Sequence, residues 1–171
     1  DQLFDLLEKY YAANPTMPDG SSVIPFEILA YDWYYFCLEN PPQFLDGYPN
    51  NGRCIVDPKT YLVSDYNVTP TAKRYFQKLN EEYKKGIIDP EFMTMNHDQF
   101  LEKIASGRVL CMVEQHWDFA TAEDSIKSQK LEGCTYVPLG ITIEPGMKEM
   151  YYVSGESATL SGGLSITKSC K

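Results

Sequence analysis

At 171 residues and 19.5 kDa the chain is one domain by length, large enough to bury about two thirds of its unfolded surface without a disulfide or structural metal. A formal net charge of -9, with 15 scattered Lys and Arg, excludes a nucleic-acid partner and disfavours an anionic membrane surface. Five Cys with no two-residue spacing exclude a zinc knuckle and a thioredoxin-type motif, and the odd count leaves at least one free thiol.

Leu3, Phe4, Leu6, Leu7, Tyr10 and Tyr11 recur at helical spacing and predict an amphipathic helix over 2–13, stopped before Asn14 and Pro15. Residues 14–22 are a Pro/Gly turn region. The stretch 26–38 is apolar and aromatic throughout, which suits a buried strand or a helix packed on most sides; the expectation here is a helix over 28–39. Residues 41–52, rich in Pro, Asn and Gly, read as a loop, and 53–63 as a small hairpin with Asp57 and Pro58 in its turn.

Thr69 before Pro70 supplies an N-cap and a first-position proline, and the stripe Ala72, Tyr75, Phe76, Leu79 and Tyr83 then runs to Gly86. Asn96 and Gln99 form a capping box for a helix over 97–106 with Phe100, Leu101 and Ile104 on its apolar face. Residues 109–113 are a short apolar strand of the kind covered on both faces. A further helix is expected over 119–130, ended by Gly133, then a strand over 134–139, a turn at Pro145 and Gly146, and strands over 150–153 and 164–167. Alternating helices and covered strands predict an α/β layer architecture.

Where the apolar strand at 109–113 ends, the chain turns abruptly polar and aromatic: Glu114, Gln115, His116, Trp117 and Asp118. A large flat indole at the carboxyl end of a strand suits stacking on a sugar ring, and ligands gather at such edges in α/β folds. Trp117 is therefore the leading candidate for ligand contact. Trp33, Tyr34 and Tyr35 suit a core by composition, with Trp33 and Tyr34 as candidates to line the same surface. Tyr is the commonest aromatic, 13 against 8 Phe, which favours rings that pack on one face and hydrogen-bond at the tip.

Other chemistries are weaker. His97 sits at a predicted helix start and His116 stands alone after the strand, so no metal site is expected. Ser154, Gly155, Glu156 and Ser157 do not resemble a strained nucleophile elbow. Glu114 and Asp118 are the one pair that suits a glycan hydrolase, although four residues across a strand end do not set a carboxylate separation. Ser161, Gly162 and Gly163 lack the Lys and following helix of a phosphate loop and read as a turn or hinge. Asn67, Val68 and Thr69 fit a glycosylation sequon, but Thr69 is already accounted for as a cap. Cys111 reads as a core filler, and a bridge from Cys37 to Cys54 has no spacing argument behind it.

The run YFQKLNEEYKKGIIDPEF, followed by a short helix and GRVLCMVEQHWDF, resembles the extracellular solute-binding proteins of carbohydrate-type ABC importers, the family 1 lipoprotein group. The family's Leu, Tyr, Gly, Ile, Ile, Asp, Pro, Glu phrase is matched by Leu79, Tyr83, Gly86, Ile87, Ile88, Asp89, Pro90 and Glu91. The opening DQLFDLLEKYY and the closing SGGLSITKS are similar to further family segments, while 14–52 match loosely. The resemblance implies a periplasmic-binding-protein-like (type II) lobe, with helices covering a mostly parallel mixed sheet. Family members are longer and two-lobed with a lipidated N-terminal Cys, so residues 1–171 are expected to be a single domain excised as the second lobe.

The implied function is non-enzymatic, cofactor-free capture of sugars or oligosaccharides, handed to a membrane permease from the extracellular face of the cell. The membrane would be met only through a lipid anchor absent from this chain. Trp117 is then implied as the stacking platform, with Glu114, Gln115, His116 and Asp118 as hydrogen-bonding partners, Pro90 as a turn former and Asp89 as a satisfier of local amides. The rivals are a glycan hydrolase module using Glu114 and Asp118, and a protein-interaction domain docking through a Tyr-rich surface.

Overall fold

The computed structural model describes residues 1–48, 54–57, 59–131, 133–147, 166, 168 and 169. The elements in chain order begin with α1 (Gln2–Ala13), β1 (Ile24–Ile28), a 3-10 turn (Asp32–Tyr35), α2 (Phe36–Glu39) and α3 (Pro41–Leu45). A small hairpin of β2 (Cys54–Val56) and β3 (Val63–Asp65) follows, then a second 3-10 turn (Tyr66–Val68), α4 (Pro70–Lys84), α5 (His97–Ala105), β4 (Val109–Val113) and α6 (His116–Ser128). The architecture is mixed α/β, with helices around a small parallel sheet.

β1 and β4 pair in parallel, with Ile24 opposite Val109 and Ile28 opposite Val113. The other edge of β1 carries a parallel bridge from Phe26 to Ile88, made by the Phe26 amide on the Ile87 carbonyl (3.0 Å) and the Asp89 amide on the Phe26 carbonyl (3.1 Å). Every residue of β1 is buried, because apolar clusters lie on both sides of it. One cluster joins Ile24 and Val109 to Phe100 and Ile104 of α5 and to Phe119 and Ile126 of α6. The other joins Phe26 and Ile28 to Phe4 and Leu7 of α1, Leu79 of α4, and Ile87 and Ile88. Phe100 and Ile104 are fully buried, and each such side chain contributes about 1.5–3 kcal/mol.

The capped helices form as their sequence predicts. Thr69 Oγ1 accepts from the Ala72 amide at 3.2 Å, with Pro70 at the first helical position. Asn96 Oδ1 accepts from the Gln99 amide, and Gln99 Oε1 from the Asn96 amide, both at 2.9 Å. The hairpin also forms, and Asp57 Oδ1 accepts from the Lys59 and Thr60 amides at 2.8 Å.

Elsewhere the structure corrects the sequence reading. The expected helix over 28–39 is instead the end of β1, the 3-10 turn and the short α2. A stretch that is apolar at every position carries no period, and burial on both faces selects a strand at its start. The expected loop over 41–52 begins as α3, with Pro41 and Pro42 at its first positions where proline lacks no needed donor. α6 starts at His116 and not at Phe119, which places Trp117 and Asp118 in its first turn. It ends at Ser128 with Lys130 in the left-handed region (φ 55).

Residues 134–139 form no strand. Val137 and Leu139 are exposed, Pro138 has no N–H to offer a ladder, and Tyr136 reaches back with its hydroxyl to the Val109 carbonyl at 2.8 Å. The turn at 145–146 is present, with Gly146 at φ 83. Cys37, Cys111 and Cys134 are free thiols, so no Cys37–Cys54 bridge exists, and Cys111 packs beside the second cluster. The strand expected over 150–153, the Ser154–157 and Ser161–Gly163 segments, most of 164–167 and Cys170 lie outside the described residues.

Candidate functional site

Because β1 and β4 are parallel neighbours, the segments leaving their carboxyl ends emerge at one edge of the sheet. That is the edge at which ligands bind in α/β folds. From β1 the chain passes Leu29 and Ala30, both buried, into the 3-10 turn that carries Trp33. Asp32, which opens that turn, takes a left-handed backbone (φ 54), a conformation that costs a non-glycine residue about 1 kcal/mol and aims Trp33 outward. From β4 the chain passes Glu114 and Gln115 into the first turn of α6, which carries Trp117. The two indoles are 47% and 60% exposed, lie within 3° of parallel and have centroids 6.3 Å apart.

The indoles rest on ordered polar and aromatic support. Trp33 stacks on Tyr34 at 3.9 Å and on Phe36 at 5.7 Å. Tyr34 is buried and stacks in turn on His97 at 5.0 Å, and His97 lies 6.5 Å from Phe100 in the core. Asp118 points inward with its carboxylate buried; it meets His97 Nε2 at 3.1 Å through Oδ2 and accepts from the Tyr34 hydroxyl at 3.4 Å through Oδ1. Burial and the adjacent Asp118 carboxylate push the Tyr34 phenol up to about 12, so it stays a donor at neutral pH.

Gln115 Oε1 accepts from Trp117 Nε1 at 2.7 Å, tying the indole edge to the strand end. Glu114 accepts from the Gln115 amide at 2.7 Å and from the Cys37 thiol at 3.2 Å. Burial raises the Glu114 carboxyl above its ordinary range, outweighing those two donors, and the Asp118 carboxylate pushes the same way. Burial, followed by Glu114, raises the Cys37 thiol as well, so it remains a protonated donor. His116 turns along the helix to Glu123, 3.3 Å away, with its ring edge-on to Phe119.

Trp33, Tyr34, Glu114, Gln115, Trp117 and Asp118 are thus gathered at one edge, although 80 residues separate the two contributing segments. Trp33 and Tyr35 are half exposed and do not belong to the core that their composition suggests. His97 and Cys37 belong to this group without having been singled out as ligand-site residues. No local motif marks either one, since their partners Asp118 and Glu114 are more than twenty residues away.

A cleft of about 370 Å³ lies elsewhere, at the amino ends of the strands, lined by Tyr11, Ser22, Ile24, Asp89, Lys103 and Arg108 among others. Among the described residues that line it, Tyr11 is the only aromatic, and none belongs to the indole edge. Among the described residues no group of three or more His, Cys, Asp or Glu converges as a metal site, and no helix is long and apolar enough to cross a membrane. Comparison of the chain with protein-family models, with curated proteins and with solved structures gives no match.

Proposed function

We propose that the chain is the second lobe of an extracellular solute-binding protein, periplasmic-binding-protein-like of type II, which captures sugars or oligosaccharides for delivery to an ABC permease. The observation that carries this reading is the pair of half-exposed, near-parallel indoles at the carboxyl edge of two parallel strands. Flat rings of this kind cover the C–H face of a pyranose, and the polar groups beside them suit its hydroxyls. The indoles are braced from behind, so little ordering is left to oppose binding. In a two-lobed binder a hinge closes one lobe on the other, and this edge supplies one wall of the cleft.

The test is a glycan-array screen of the two-lobed protein, with calorimetric affinities for each hit and product analysis of the bound sugar. Saturable binding with the sugar recovered intact is the expected result. Silence across all glycans would overturn the sugar assignment in favour of a peptide ligand or a protein partner. Cleavage of a bound glycan would replace the proposal with a hydrolase, a reading that the raised Glu114 carboxyl beside Asp118 favours.

A further inference from the structure

His97 sits in the middle of a continuous run of rings that reaches from solvent to the core. In order these are Trp117, Trp33, Tyr34, His97 and Phe100, with neighbouring centroids 6.3, 3.9, 5.0 and 6.5 Å apart. They come from α6, the 3-10 turn after β1, and α5. Phe100 is fully buried and anchors the inner end, while both indoles at the outer end face solvent. Asp118 ties the three elements together: it follows Trp117 directly, and its two oxygens reach His97 and Tyr34.

We propose that His97 is a positioning residue, which sets the placement of Trp33 and Trp117 through Tyr34 and Asp118 and tunes their grip on a hydroxylated ring as its charge changes. The grip on a sugar rests on the function proposed above; the coupling between the rings does not. Its physical basis is the change in the His97–Asp118 contact. A neutral imidazole makes one hydrogen bond to the carboxylate, whereas a protonated one makes a shorter, stronger charge-assisted pair. The groups facing the ring are the Asp118 carboxylate from α6, the Glu114 carboxylate from the end of β4 and the Tyr34 hydroxyl from the 3-10 turn, with Asp98 next to it on α5. The His97 side chain is 32% exposed.

The chain contains two Trp and two His, so it is its own reporter. Tryptophan emission is followed from pH 5 to 8, the range in which imidazoles ordinarily change charge. A sigmoidal change is expected in the wild type and in His116→Gln, and its loss in His97→Gln. An inflection that survives in His97→Gln, or vanishes in His116→Gln, overturns the proposal.

If His97→Gln does not fold, NMR of the wild type decides the matter. The His97 imidazole and at least one indole Nε1–H signal must then titrate with a common midpoint, and indole signals indifferent to His97 overturn the coupling. With the tightest oligosaccharide of the array as probe, affinity at pH 5 is expected to exceed that at pH 8 by about threefold, a ratio that falls to one in His97→Gln. An equal ratio in both proteins overturns the tuning of grip. A chain that shows the emission change but binds no glycan leaves the ring coupling standing and removes the sugar assignment.

Discussion

The aromatic edge and the ionic cluster beneath the Asp89-Pro90-Glu91 turn both hold carboxylates close to cations or donors, yet they are built for opposite ends. At the edge, polar groups stand behind two exposed indoles. Under the turn, Lys103 is sealed in and bonded at 2.7 Å to both Asp89 and Glu91, beside the fully buried Glu27. Burial alone would raise the Asp89 carboxyl, but the Lys103 ammonium and the Glu91 amide hold it below its ordinary value. Lys103 is likewise held high against the effect of burial by Asp89 and Glu91. That cluster fastens the turn to α5 and forms part of the wall of the cleft at the amino ends of the strands. Buried charge stabilises when its partners are complete, whereas exposed aromatic surface is free to be spent on binding.

Removing one partner of the cluster is the sharpest way to break this contrast. Lys103→Ala leaves two carboxylates and a buried glutamic acid without their cation, and is expected to cost about 3–5 kcal/mol in denaturant unfolding. A loss below about 1 kcal/mol would mean that the cluster is solvated and not structural.

Trp117→Ala is the matching change at the other region. On the function proposed above, it should weaken the best glycan by about 2 kcal/mol, near thirtyfold, while shifting unfolding by less than about 0.5 kcal/mol. Unchanged affinity in a folded variant would remove Trp117 from the binding surface, and a large loss of stability would place it in the core.

A smaller effect is expected between the two regions, where α5 turns into β4. Gly107 has φ +74, and a Cβ there would lie 3.0 Å from Leu131 Cδ1 and 3.3 Å from Cys134 Sγ. Gly107→Ala should therefore cost about 1–2 kcal/mol in thermal unfolding, by strain and by contact together. A neutral substitution would show that the segment after α6 does not press on this turn.

The last prediction concerns pH. Burial, then the Asp89 carboxylate, raises Glu27 to about 9, so the folded protein keeps a proton that the unfolded chain releases above about pH 4.3. The folded state binds more protons between those values, so this group's contribution falls as pH rises from about 4.3 towards 9. Glu27→Gln cannot ionise and should remove this group's share of the fall in Tm between pH 5 and pH 8. An unchanged difference would mean that Glu27 is ionised in the folded protein.

Local signals in the chain were read correctly where one residue satisfies another three or four positions away. The Asn96–Gln99 box, the Thr69–Pro70 start and the stripe of α4 needed nothing distant to form. The apolar stretch at 26–38 was misread because neither period survives in a sequence that is apolar at every position. Its strand exists through pairing with β4, 85 residues away. The early start of α6 was missed for a related reason: Gln115 caps the helix without a side-chain bond, so no cap signature precedes it.

At the site, Trp117 was legible from the break between an apolar strand and a polar cluster. That Trp33 stands half exposed beside it, and that His97 and Asp118 hold Tyr34 between them, was not. The sequence by itself determined the capped helices, the β4 strand and the aromatic character of its tip, because those depend on neighbours along the chain. Tertiary structure alone decided which aromatics face solvent and which brace them, because the parallel pairing of β1 with β4 brings two remote segments to one edge, and burial there sorts their side chains.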